Sequence, residues 1–332
     1  LKLIIRVYPR SSAAKKNNSW SGQMNSIVVI GTVAFDSVKT PFGEAPEVLG
    51  GSATFFAMAA KLFTRVRLVA IVGKDFPHQH LRMFEENGID LAGLVRSQGK
   101  TFRWTGEYEE NMNVRHTIET QLNVLEEFKA ELPASYRKTP YVFLANINPD
   151  LQFKVLEQLE HPKLVCCDTM NLWIINARKD LEKVLKKVDF FIISEEEAQM
   201  LTKDHNIIRG AREILKLGHF SLIIKRGGYG AILFTRQGEV FAIPAFPLEN
   251  VVDPTGAGDT FAGGFVGYLA SSGKTDLETV QRAMVYGNIM ASFAVEGFSV
   301  ETLIPLTRER VSERLMDFVR MTHLSPVVAN VE

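Results

Sequence analysis

The chain has 332 residues, of which 46% are hydrophobic and 23% charged, enough to bury a substantial core. Lys plus Arg and Asp plus Glu number 38 each, and a net charge of zero argues against a nucleic-acid partner or an anionic membrane surface. No apolar run reaches the roughly 18 residues a bilayer span needs, and the two cysteines, Cys166 and Cys167, are adjacent, which gives neither a disulfide framework nor a zinc spacing. They read as small apolar filler in a buried strand, and the setting as cytoplasmic.

Residues 1–23 begin with Leu, are basic and then polar, and lack the apolar core of a signal peptide. The expectation is a non-native or mis-called extension, with a presequence as the alternative, followed by one domain over residues 24–332. "SIVVIGT" is a short β-branched run ending at Gly31, "SATFFAMAAKLF" has helical spacing, "VRLVAIVG" is a second buried strand, and "PHQHLRMFEENG" is a helix closed by Gly88. "YVFLANI", "KLVCCDT", "DFFIIS" and "SLIIKRG" are further apolar runs, separated by the helical patterns "PDLQFKVLEQL", "ARKDLEKVLKKV" and "EEEAQMLTK". Such alternation predicts a mostly parallel sheet with helices on both faces. "GYGAILFT" and "GEVFAIPAF" read as a strand pair, and three helical stretches follow it, the last being "VSERLMDFVRM".

Residues 101–122, "TFRWTGEYEENMNVRHTIETQL", break the rhythm with a period-two pattern around "EENMN". They predict a β-hairpin that, with part of 32–50, forms a small sheet able to close over a site as a lid. A decorated edge hairpin without a role in chemistry is the alternative.

"DPTGAGDTFAGGF", Asp253 to Phe265, carries the strongest chemical signal. Successive small residues at Gly256, Ala257 and Gly258 let backbone N–H groups converge at a helix start, a site that attracts phosphate oxygens. An acid at that place, Asp259, suits removal of a proton from a hydroxyl that attacks phosphorus. A plain N-terminal cap is the other reading of Asp259. Gly263, Gly264 and Gly267 continue a small helix face suited to close packing.

Together with "VLGGSATFFAMAAKLFTRVRLVAIVGKDFP", Val48 to Pro77, this motif resembles the paired signatures of the PfkB or ribokinase-like carbohydrate kinases, in the same order and separation. The resemblance covers the chain from Met24 onward. It implies a three-layer α/β/α fold with a small β-sheet lid, and an ATP- and Mg²⁺-dependent kinase acting on an alcohol group of a small molecule. It makes Asp259 the base and Gly256, Ala257, Gly258 and the Asp259 backbone the anion hole. Asp253 would help hold a monovalent cation such as K⁺, or simply stabilise its turn. Asp36 would bind substrate hydroxyls, with Gly50 and Gly51 as the lid hinge. Glu197, in "SEEEAQML", matches the glutamate of an N-x-x-E element that organises Mg-ATP, although Ser194 replaces the asparagine. Lys225, Gly227 and Gly228 would border the nucleotide, and Asn288 the adenine. Asp168 and Asn171, at a strand end in "CDTMNLW", match a D-x-N element with altered spacing.

One departure bears on the acceptor. Many family members have an Asn four positions after the second Gly; here it is Phe55, which cannot accept a sugar's hydrogen bonds. With Trp104 in the lid, Phe55 leaves room for a nucleoside, unless it only packs in the helix core. The expectations are therefore a sugar kinase first, a ribonucleoside kinase as alternative, and a non-catalytic relative behind both. A dinucleotide-dependent oxidoreductase is disfavoured, because "GTVAFD" lacks the G-x-G-x-x-G turn. A homodimer covering an open face of the lid is compatible with this reading.

Overall fold

The structure, a computed structural model, describes residues 25–322. The expected extension at 1–23 and the start at Met24 lie outside the described residues. Strand β1 (Ser26–Ile30) shows why the apolar runs become strands. Ile27 and Val29 join the core on one face of the sheet, Val28 and Ile30 the core on the other. A strand buried on both faces has no place for alternation, so its sequence is continuously apolar. The split recurs in β8 (Tyr141–Leu144), with Phe143 on one side and Val142 and Leu144 on the other.

The large sheet has nine strands. Beside β1 lies β4 (Arg65–Val72) and then β5 (Ile89–Arg96); on its other side follow β8, β9 (Leu164–Asp168), β10 (Phe190–Ser194) and β11 (Ser221–Lys225). These seven are parallel, and β12 (Ala231–Phe234) and β13 (Val240–Ile243) complete the edge antiparallel. The chain thus departs from β1 first in one direction and later in the other. That reversal opens a crevice beyond the carboxyl ends of β1 and β8, where ligands of parallel sheets bind.

Helices α1 (Ser52–Ala60), α8 (Ala257–Ser272) and α9 (Leu277–Ala294) cover one face, with Phe84 of α2 (His78–Glu86) and Phe318 of α10 (Arg308–Thr322) in the same core. The other face is covered by α3 (Pro149–Gln158), α4 (Asn171–Asn176), α5 (Arg178–Leu185), α6 (Glu195–Thr202) and α7 (Ile207–Leu215). Phe56 of α1 stacks on Phe143 of β8 with ring centroids 4.3 Å apart. A Cβ on Gly263 would lie 2.5 Å from the Phe56 carbonyl oxygen, so the small face of α8 lets α1 approach closely. This contact fixes where α8 begins, and hence where its first turn points.

The second sheet has the order β3-β2-β6-β7, built from β2 (Ala34–Thr40), β3 (Gly43–Gly50), β6 (Arg103–Tyr108) and β7 (Arg115–Gln121). Strands β6 and β7 form the expected hairpin. It is anchored to the loop after β4: the Thr101 N–H and hydroxyl donate to Asp75 Oδ1 at 2.8 and 2.7 Å, and Arg103 pairs with Asp75 Oδ2 at 2.9 Å. Asp36 and Trp104 are register partners, and both face the large sheet's crevice. By alternation the opposite face holds the pairs Arg103–Glu47 and Lys39–Glu107. That face carries ion pairs where a dimer through the lid would favour an apolar stripe. The sequence reading passed over β5, α4 and α7, and it ran α1 three residues past Ala60. Among the described residues no helix is long and apolar enough to cross a membrane.

Candidate active site

The turn before α8 is set by backbone geometry. Gly256 has φ 74°, in the left-handed region that favours glycine. The ring of Phe55 lies against it, so closely that a Cβ on Gly256 would enter the ring. Phe55 is 1% exposed. It lines the crevice with almost none of its surface exposed and packs against the turn, which leaves little ring face on which a base could stack. The Ala257 N–H closes the turn onto the Pro254 carbonyl at 3.1 Å, and the Thr260 N–H onto Gly256 at 2.8 Å. The first-turn N–H groups between them are those a helix cannot satisfy internally.

Asp259 lies in that first turn. Burial raises its pKa to about 6; Lys225 and Arg115 oppose the rise, while Glu197 adds to it. Lys225 ends β11, and its Nζ lies 2.6 Å from where a Cβ of Gly258 would stand. The absence of a side chain at Gly258 therefore makes room for an ammonium group over the turn. Asp253 is 1% exposed, and its Oδ1 accepts from the Thr255 N–H at 2.8 Å. Burial also raises its pKa, against the bonds to Thr255 and the Ser299 backbone.

Asp36 faces the same crevice from β2. Its carboxylate occupies the space that a side chain on Gly50 would need, and Oδ2 accepts from the Gly51 N–H at 3.4 Å. The di-glycine thus admits a carboxylate at the base of the small sheet. Gly51 itself has φ 96° and caps α1. Burial raises the Asp36 pKa to about 7, the Gly51 bond opposes this, and Asp253 and Asp259 reinforce it.

Lys225 also acts on Asp168 and Glu197. Asp168 is 3% exposed at the end of β9, and its buried Oδ1 has no hydrogen-bond partner among the described residues. Burial and then Asp259 raise its pKa well above the ordinary carboxylate range, while Lys225 lowers it. Glu197 is engaged in a capping box: it accepts from the Ser194 N–H at 2.7 Å, and its own N–H donates to Ser194 Oγ at 3.1 Å. Ser194 is a good N-cap, so its replacement of Asn keeps Glu197 in place by local means. Burial raises the Glu197 pKa against Lys225.

The remaining expected residues divide. Trp104 lines the crevice, with Nε1 donating to Thr117 Oγ1 at 3.3 Å. Asn171 does not line it; its Oδ1 accepts from the Leu172 N–H at 3.0 Å, closing the start of α4. Met170 and Trp173, one position before it and two after, reach the crevice instead. Gly227 and Gly228 form a short 3₁₀ turn after β11. A Cβ on Gly228 would meet open space, whereas one on Gly227 would lie 2.8 Å from Asn113 Oδ1 at the hairpin tip. Asn288 is 6% exposed on α9, and its Nδ2 has no hydrogen-bond partner among the described residues.

Two polar crevice residues that bear on the chemistry, Asn146 and Arg115, had not been singled out. Asn146, just past β8, accepts from Trp173 Nε1 at 2.8 Å and donates to Met170 Sδ at 3.1 Å. The strand end "FLANI" was its signal. Arg115 opens β7, and its guanidinium lies 5.4 Å above the Trp104 ring.

A glycine turn at a helix start, the acid within it and a second acid at the base of the small sheet are thus gathered around one crevice. The sequence model of the pfkB family carbohydrate kinases matches residues 16–305. The chain belongs to this family. It is 32% identical over 250 residues, 73% of this chain and 88% of the relative, to a cytidine kinase of Thermococcus kodakarensis. It is 24% identical over 311 residues, 89% of this chain and 98% of the relative, to a nucleoside kinase of Methanocaldococcus jannaschii. The crystal structure of the latter superposes with a TM-score of 0.71 at 22% identity, covering 90% of this chain and all of that one. Ribokinase from Giardia lamblia gives 0.73 at 19% identity, covering 89% of this chain and all of that one. The fold is therefore ribokinase-like, and the protein is a phosphotransferase acting on a sugar or nucleoside hydroxyl.

Proposed function

We propose that this kinase phosphorylates a ribose hydroxyl of a nucleoside, using Mg-ATP. The observation that carries the reading is the crevice wall. From the hydroxyl-handling end at Asp36, Gly51 and Asp259 it continues along Phe102, Trp104, Leu122, Met170 and Trp173. That aromatic and apolar wall suits the flat face of a nucleobase better than the hydroxyl-studded surface of a free sugar. The cytidine and nucleoside kinases among the relatives support the same acceptor class. A sugar hydroxyl remains the acceptor, now with a base attached.

In this reading Asp36 and Gly51 hold the ribose, and Asp259 takes the proton of the attacking hydroxyl. The acceptor oxygen bonds to the γ-phosphorus as the bond to the β–γ bridging oxygen breaks, and ADP leaves. The turn's N–H groups and Lys225 meet the charge on the transferring phosphoryl group. Gly227, Gly228 and Asn288 border the nucleotide; the unsatisfied Nδ2 of Asn288 suits a base acceptor. Mg²⁺ would arrive with the nucleotide phosphates. Asp168, with its buried Oδ1, and Glu197 would help hold the ion, which would supply positive charge to the transferring phosphoryl group. Asp253 is the residue for a monovalent cation, tested by exchanging K⁺ for Na⁺ in the assay. A non-catalytic role is disfavoured, because the capping box accommodates Ser194 without loss of Glu197.

The test is turnover of the purified protein with Mg-ATP across ribonucleosides and free pentoses and hexoses, followed by ADP release. At least one ribonucleoside should exceed every free sugar by about 100-fold in kcat/KM, equivalent to roughly 2.7 kcal/mol. Preference for a free sugar would refute the nucleoside assignment.

A further inference from the structure

The hairpin β6–β7 does not alternate regularly. Thr105 pairs with Glu119 and Gly106 with Thr117, so Ile118 is an extra residue without a partner, a β-bulge. A strict period of two would place Arg115 and Thr120, five positions apart, on opposite faces. The bulge brings both to the crevice, and Ile118 is left outward and 62% exposed. Arg115 is the register partner of Tyr108, whose hydroxyl accepts from Thr255 Oγ1 at 3.1 Å, one residue before the Gly256 turn. The guanidinium is braced over Trp104 on its other side. At the hairpin tip, Asn113 meets Gly227 on the nucleotide side. The lid therefore touches both halves of the site, and Arg115 is carried between them.

Three carboxylates, Asp36, Asp259 and Glu197, feel the positive field of Arg115. Among the described residues the guanidinium forms a salt bridge with none of them. An arginine in a carboxylate-lined crevice, held by the Tyr108 hydroxyl and the Trp104 ring and committed to no carboxylate, can meet an anion brought by the substrates. Its planar donors suit phosphoryl oxygens.

We propose that Arg115 is a further catalytic residue, delivered by the lid strand to the phosphoryl group as it passes from ATP to the acceptor. It stabilises charge on the transferring group and takes no part in proton transfer, which stays with Asp259. The bulge at Ile118 is what aims it. This rests on the kinase reading above.

The test compares native enzyme with Arg115→Gln, Arg115→Lys and Arg115→Ala on the preferred acceptor. Arg115→Gln should lower kcat by about 10²–10³-fold, the loss typical of one removed transition-state donor, with acceptor KM within threefold or so of native. Binding of a non-hydrolysable ATP analogue with Mg²⁺, measured by calorimetry, should be unchanged. Added guanidinium at millimolar concentration should partly restore Arg115→Ala, and Arg115→Lys should fall between native and Gln. Because Arg115 is exposed, the variants should keep the native melting temperature. A kcat within threefold of native, or a loss confined to acceptor KM, overturns the assignment while leaving the kinase reading intact. A native protein that turns over no sugar and no nucleoside overturns both.

Discussion

Lys225 Nζ stands 2.6 Å from the position that a Cβ on Gly258 would take. The glycine at the third place of the turn therefore does more than expose backbone: it admits a cation that faces Asp259, Asp168 and Glu197 at once. Gly258→Ala should leave the fold intact, because the obstructed atom is the end of a flexible side chain. It should displace the ammonium and lower kcat by roughly 10²-fold. Lys225 also holds the Asp259 pKa down, so moving it away should shift the acidic limb of kcat/KM upward from about pH 6. A pH–rate profile of the variant checks both; an unmoved limb with full kcat would mean that the contact is incidental.

Asp259 itself supplies the second prediction. Burial places its pKa at about 6, near the working pH of a general base. The base must be deprotonated to accept the hydroxyl proton, so kcat/KM should fall tenfold per pH unit below about 6. Asp259→Asn should cost roughly 10²–10⁴-fold in kcat and remove that limb from the residual rate. Retention of native kcat in this variant would end the mechanism.

A third prediction concerns stability rather than rate. Asp36 is buried, and its pKa is raised to about 7 from an ordinary 3.8. The folded state thus binds the proton more tightly than the unfolded chain does. The associated stability is fully present below pH 3.8 and is lost as the pH rises through about 7. Asp36→Asn should therefore melt higher than native protein at pH 8, with the gap closing toward pH 4, while acceptor binding is lost. Differential scanning fluorimetry across that range decides it. An equal or lower melting temperature at pH 8 would show that the carboxylate is better solvated than its burial implies.

The parallel sheet was legible because strands buried on both faces are written as unbroken apolar runs. The turn at Gly256–Asp259 was legible because its chemistry is local: small residues, an acid and a helix within a few positions. What failed was what depends on non-local contact. Strand β5 buries Ile89 and Gly93 but exposes Asp90, Ala92, Val95 and Arg96, as an edge strand with a wet face does, and so carries no apolar run. Of the two readings open for Phe55, a stacking surface or core packing, the contact of its ring with Gly256 favours packing. Arg115 was hidden by the bulge, since a period-two reading assigns it and Thr120 to opposite faces. Asn171 drew attention as a polar residue at a strand end, but its side chain is spent on its own helix start, and its neighbours face the crevice.

Asn146 gives the last prediction. Indole Nε1 can only donate, so the bond from Trp173 fixes Oδ1 toward the ring and Nδ2 toward Met170. Among the described residues one amide hydrogen and one lone pair remain uncommitted, an adjacent donor and acceptor held among apolar residues. That edge matches the paired acceptor and donor of a nucleobase better than the scattered hydroxyls of a free sugar. Asn146→Ala should raise acceptor KM by about tenfold, or about 1.4 kcal/mol, and leave kcat within a few-fold, because a contact remote from the reacting hydroxyl binds ground state and transition state alike. Asn146→Asp keeps the acceptor for Trp173 but has no amide donor, so it should penalise most the nucleoside whose base presents an acceptor to Nδ2. Steady-state kinetics across four ribonucleosides measure this directly. A uniform effect on all four, equal to that on a free sugar, would place Asn146 at the ribose and not at the base.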